Sequence, residues 1–157
     1  MSAIIQGYQL RALEQGALVQ KAAQALPQDT TSDLYTVTGG AVLVTGLLGL
    51  VTTAIGATAT TLALGTAPTV GTAESTGIAT ATAITSAEVG TWVTPQTSAA
   101  VGGALVVGGH AGNALYLTSY HMVVSAGYIT WTTSANDTGQ MAWYLTYVPL
   151  DTGAYVS

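Results

Sequence analysis

The chain has no cysteine and no phenylalanine, four prolines, and only two basic and seven acidic residues in a length of 157. Without cysteine neither a disulfide framework nor a thiolate metal site can form, so stability has to come from packing and assembly. Charged residues make up 6% of the chain, against about a quarter in an ordinary soluble domain. Charge is what keeps protein surfaces apart, and a surface this poor in it is expected to face other subunits. The basic residues are Arg11 and Lys21, and nothing after Lys21 is basic; Asp29, Asp33, Glu74, Glu88, Asp137 and Asp151 all follow it. Affinity for nucleic acid comes from Lys and Arg neutralising phosphates. A net charge of −5 on a base-free body therefore argues against DNA or RNA as a partner, and equally against docking on an anionic membrane. One charge-free run, between Asp33 and Glu74, is long enough to cross a bilayer. Its many Thr and Gly residues and its strand-like alternation read against a span. The N-terminus has none of the basic patch, apolar core and small-residue cleavage site of a secretory signal.

Threonine, serine, glycine and alanine take the place of the missing charge, and the apolar share of 49% leans heavily on alanine. The length suits one main core. Ser2 to Leu26 reads as a helix, because Ile4, Tyr8, Leu10, Leu13, Ala17 and Leu18 recur at three- and four-residue steps. Gly7 and Gly16 weaken it by about 1 kcal/mol each relative to alanine, and Pro27 ends it. Such a helix is marginal by itself. It either packs on its own β body or serves as an arm that bundles with identical arms or grips a neighbour. The organisation expected is a helical arm over 1–28 and a β domain over 29–157.

From Leu34 the chain is a succession of short strands and turn signals. Tyr35 and Val37 alternate with Thr36 and Thr38, Gly39-Gly40 supplies a turn, and Val42 and Val44 resume the pattern, which predicts a hairpin. Further strands are expected over 58–64, 78–84, 104–107 and 115–124, with Trp92-Val93 starting another that Pro95 interrupts. The plainest hairpin pairs Tyr128–Thr133 with Gln140–Val148 across a turn. In that last strand Met141, Trp143, Leu145 and Tyr147 alternate with Ala142, Tyr144, Thr146 and Val148, so neither face is plainly a solvent face. Many strands with glycine-rich turns predict a mainly β fold, a β-sandwich of jelly-roll type, carrying the N-terminal helical arm.

The chemistry of a catalytic or metal site is sparse. His110 lies in a glycine-rich loop and His121 in a strand expected to leave it half-buried; as ligands they would need Glu88 or Asp137 beside them. None of the serines sits in a nucleophile elbow. The GGALVVGGHAGN stretch lacks both the lysine and the following helix of a phosphate loop. Asp137 and Asp151 read as turn residues rather than a glycosidase pair. No catalytic residue, metal or cofactor is expected. The tryptophans and tyrosines could line a sugar-binding face, but their alternation suits core and subunit interfaces better. The residues singled out for subunit or partner contact are Ile4, Tyr8, Leu13 and Leu18 on the arm and Trp131 and Trp143 in the body.

TVTGGAVLVTGLLGLVTTAIG from Thr36, TAPTVGTAE from Thr66, AITSAEVGT from Ala83 and the closing WYLTYVPLD from Trp143 follow one another in an order that resembles a family of small virion proteins from tailed phages of actinobacteria. The resemblance runs from about Leu34 to the C-terminus. It implies a non-enzymatic capsid decoration or cement protein on the outer surface of the head, with the major capsid protein as partner and a homo-oligomer, a trimer above all, as its state. A tail or head-fibre component is the alternative within virion proteins. A carbohydrate- or host-receptor-binding module is the alternative outside them.

Overall fold

The computed structural model describes residues 14–96, 103–109, 112 and 121–157. The period-two alternation becomes strands almost throughout. In order they are β1 (Ala17–Ala25), β2 (Thr31–Thr38), β3 (Val42–Thr53), β4 (Thr61–Pro68), β5 (Glu74–Ala83) and β6 (Trp92–Pro95). There follow β7 (Gly103–Val107), β8 (Met122–Val124), β9 (Gly127–Thr133), β10 (Gln140–Pro149) and β11 (Tyr155–Val156). The protein is mainly β, as its alternation predicts.

The strands hydrogen-bond in the order β1-β10-β3-β6-β7-β5-β4-β9-β2-β11, with β8 also on β3. One ladder, β1-β10-β3-β6, lies over a second, β5-β4-β9-β2-β11. Strand β7 joins them, pairing antiparallel with β6 and parallel with β5. The sheet thus bends round into a nearly closed barrel. Its two ends meet at a seam bridged by side chains: the Tyr35 hydroxyl donates to the Val19 carbonyl at 3.4 Å, and Lys21 Nζ lies 5.7 Å from the centre of the Tyr35 ring.

The core sits between the ladders. Trp131 on β9 and Trp143 on β10 meet edge to face, ring centres 5.9 Å apart at 86°, a favoured arrangement for aromatic quadrupoles. Leu62, Leu64 and Ile129 from one ladder and Val44, Val51 and Leu145 from the other are fully buried with them. Burying each such side chain contributes about 1.5–3 kcal/mol.

Three sequence expectations are corrected. Ala17–Ala25 is a strand, paired with β10 from Ala17↔Tyr147 to Ala25↔Gln140, so the arm over 1–28 is not helical there; residues 1–13 lie outside the described residues. The Gly39-Gly40 turn forms, both glycines at positive φ, but β2 and β3 do not pair with each other. Nor do β9 and β10. Each of these connections carries the chain from one ladder to the other, which is why Trp131 and Trp143 face each other across the core instead of lying side by side. No helix among the described residues is long and apolar enough to cross a membrane.

Candidate functional site

Sheet register assigns every residue of β10 and β3 to a face. Met141, Trp143, Leu145 and Tyr147 point inward and are buried; Ala142, Tyr144, Thr146 and Val148 point out. Opposite them on β3, Leu50 pairs with Ala142, Leu48 with Tyr144 and Leu43 with Val148, so these three leucines share the outer face. The register shifts where Thr45 and Gly46 together oppose Thr146. The extra residue keeps Val44 and Leu47 both inward, and the outward Thr45 hydroxyl bonds Thr146 Oγ1 at 2.9 Å and the Gln15 carbonyl.

The neighbouring strands continue the pattern. Trp92 pairs with Leu50, Val123 with Leu43 and Leu18 with Thr146, and Val106 pairs with Thr94 beyond them. Trp92 and Tyr144 touch across β3, ring centres 5.9 Å apart at 48°. Leu18 is 61% exposed, Val123 63% and Val148 39%; Leu48, Leu50, Trp92 and Tyr144 are half-buried. Among the described residues, the outer face of β1-β10-β3-β6 therefore displays leucine, valine, tryptophan and tyrosine, with Gln20, Thr45 and Thr146 between them, and no charged side chain.

The opposite outer face has another chemistry. On β2, β9 and β4 the outward positions are Thr31, Asp33 and Thr36, Tyr128, Thr130 and Thr132, and Ala63, Gly65 and Ala67. Thr31 and Thr132 bond each other through their hydroxyls at 2.8 Å. Ala63, Gly65 and Thr130 are buried there, Gly65 against the backbone of Glu74 and Ser75, and solvent meets Thr31, Asp33, Thr36, Tyr128 and Thr132.

Carboxylates elsewhere are engaged in holding turns. Asp137 accepts from the Thr60 hydroxyl at 3.0 Å and from its neighbour Thr138 N–H at 2.7 Å. Asp151 accepts from Ala41 N–H at 2.7 Å, and Glu74 from the Thr76 hydroxyl at 3.0 Å. Both aspartates thus have the turn role read from the sequence. Among the described residues no group of three or more His, Asp or Glu could hold a metal ion. His121 is exposed just before β8, not half-buried within a strand; His110 lies outside the described residues. Tyr35 is the titratable group that the interior perturbs: burial pushes its phenol well up, and a backbone hydrogen bond at Lys21 offsets only part of that.

Of the contact residues read from the sequence, Leu18 lies at the rim of the apolar face. Trp131 and Trp143 are core, at 2% and 0% exposure. Ile4, Tyr8 and Leu13 lie outside the described residues. Of the face's central residues, Trp92 and Tyr144 belong to the aromatics that the sequence marks for core or subunit interfaces, whereas Leu48 and Leu50 carry no such mark in the sequence. The signal for them was β10 itself, a strand with two apolar faces of which only one can fill the core. Comparison with protein-family models, with curated proteins and with solved structures found no match.

Proposed function

We propose that the protein is a non-enzymatic structural component of a phage virion, a decoration protein that seats on the outer surface of the assembled head, with the major capsid protein as partner. The observation that carries this reading is the charge-free apolar outer face of β1-β10-β3-β6 on a body whose carboxylates lie elsewhere. A surface of that kind suits assembly. The strand order supports it at the level of architecture. Pairing β1-β10-β3-β6 against β2-β9-β4-β5 is the order expected of the double Greek key of a jelly roll, a fold used by capsid proteins and by lectins. Because folds host many functions, the face and not the topology bears the weight.

The mechanism is area burial coupled to assembly. A protein that binds the closed lattice and not free capsid subunits shifts the equilibrium toward the closed particle, at about 25 cal/mol for each Å² of apolar surface removed from water. Imaging heads lacking the protein after mixing and washing tests this. Regular density on the outer surface, at local three-fold or hexamer-centre positions, is the expected result. Density confined to the tail or to one vertex makes the protein a tail or head-fibre component.

The Trp92–Tyr144 pair favours a second reading. It is the aromatic pair placed on an outer face, where two rings could stack on the C–H face of a sugar. A carbohydrate-binding module would show glycan-dependent change in Trp92 emission and no head binding.

A further inference from the structure

We infer that the face built on Leu48, Leu50, Trp92 and Tyr144 is covered by the same face of a second copy of this chain, making a two-fold dimer; this rests on the reading of the protein as an assembling structural component, and it leaves contact with the head to the dimer's remaining surface. Strands about 4.8 Å apart and rising about 3.3 Å per residue give the face a span of roughly 20 Å each way, about 400 Å² before the rim is added. The exposed Leu18, Val123 and Val148 extend it toward the roughly 800 Å² per partner that a stable interface needs.

Charge selects the occupant. A partner chosen for its basic surface would find no carboxylate on this face to pair with. A second copy brings an equally uncharged surface, so nothing ionised is buried unpaired. Of the seven acidic residues, Asp33 is on the opposite outer face, Glu74 starts β5, and Asp29, Glu88, Asp137 and Asp151 are in connecting segments; Glu14, exposed just before β1, adjoins Gln15, whose carbonyl accepts from the outward Thr45, and so lies at the rim of the contact and not on its strands. Two sheets stacked face to face about 10 Å apart, with strands within about 30° of aligned, set each copy's leucines against the other's aromatic pair.

Edge pairing is the competing way to join β proteins, and β1 is built against it. Lys21 points inward over Tyr35, and the register shifts between Lys21 and Gln24. An inward charge and a bulge are both devices that discourage strand addition. Contact of one patch with itself closes at two copies, so this interface gives a dimer. Three-fold occupancy of a lattice would use a different surface.

Sedimentation velocity on the full chain across about 1–100 μM, the range where a contact of this size is resolved, tests the inference. The expected species has twice the 15.7 kDa mass of the chain, and Trp92 emission, taken as the difference from Trp92→Phe, shifts to shorter wavelength as the dimer forms. Leu48→Lys and Tyr144→Lys should each weaken association at least ten-fold while keeping the circular dichroism of the parent. Thr132→Lys, on the opposite outer face, should leave association unchanged. A parent that stays monomeric throughout, or a folded Leu48→Lys variant that dimerises like the parent, overturns the inference. Should Leu48→Lys misfold, the concentration dependence of Trp92 emission in the parent decides by itself. Head binding is scored separately: a monomer that binds heads overturns the dimer alone, and a dimer that binds none overturns the virion reading alone.

Discussion

Tyr35 is 1% exposed at the seam of the barrel, its hydroxyl on the Val19 carbonyl. Burial raises its pKa above the ordinary value near 10. Above that pH the unfolded chain releases the phenolic proton while the folded chain keeps it. The unfolded state then binds fewer protons, so stability falls as pH rises, by up to about 1.4 kcal/mol per pH unit. The contribution is complete below pH 10. Denaturant titrations at pH 8 to 11 should show the parent losing stability faster than Tyr35→Phe; parallel curves would remove the buried phenol from the account. Gly49 is a second residue whose role is set by its surroundings. A Cβ there would lie 2.9 Å from Met141 Cε and 3.0 Å from two ring carbons of Trp143. The ring is rigid and fully buried, so Gly49→Ala should cost about 1–3 kcal/mol by overpacking. In urea unfolding that cost should shrink in a Trp143→Phe background, which supplies room.

At the scale of elements, strand existence was legible and strand pairing was not. Alternation marks Tyr128–Thr133 and Gln140–Val148 as strands wherever they go, and a turn of polar residues between them reads as a hairpin. What sends them to opposite ladders is non-local: β9 finds β2 and β4, while β10 finds β1 and β3. The first strand fails differently. ALVQKAAQA is rich in alanine, the best helix former, and apolar residues at three- and four-residue steps completed the helical reading. Pairing with β10 overrides propensity, placing Val19 and Lys21 inward with Leu18 and Gln20 outward. Gly16, at φ +90° with Tyr147 O 2.3 Å from where a Cβ would sit, starts the strand in a conformation that favours glycine. Proteolysis distinguishes the two readings. An exposed arm over 1–28 would let trypsin cut after Lys21, leaving a body that begins at Ala22. With Lys21 opposite Trp143 in the ladder, the folded chain should yield no such product by intact mass, whatever happens at Arg11. The face is legible only in hindsight of register. The two sets of β10 are both apolar, and which of them fills the core depends on the partner strands; the inward set holds the larger side chains.

For the whole molecule, the placement of charge fixes the sign of a salt effect. A charge-paired interface loosens as salt is added, since ions screen attraction across it over about 8–10 Å. The face proposed here has no ion pair to screen, while two copies that each carry −5 repel one another at longer range. Sodium chloride from low to physiological ionic strength should therefore leave the dimer unchanged or tighten it slightly. Sodium sulfate, excluded from protein surfaces, should tighten it further, because it strengthens apolar burial. Lowering the pH toward the isoelectric point near 4.4 removes the repulsion, so association should strengthen on acidification and extend to precipitation. Sedimentation in a salt series at pH 7 reads the first effect directly. A dimer that dissociates on adding sodium chloride would mean that carboxylates, and not the leucines and aromatic rings of the uncharged face, make the contact.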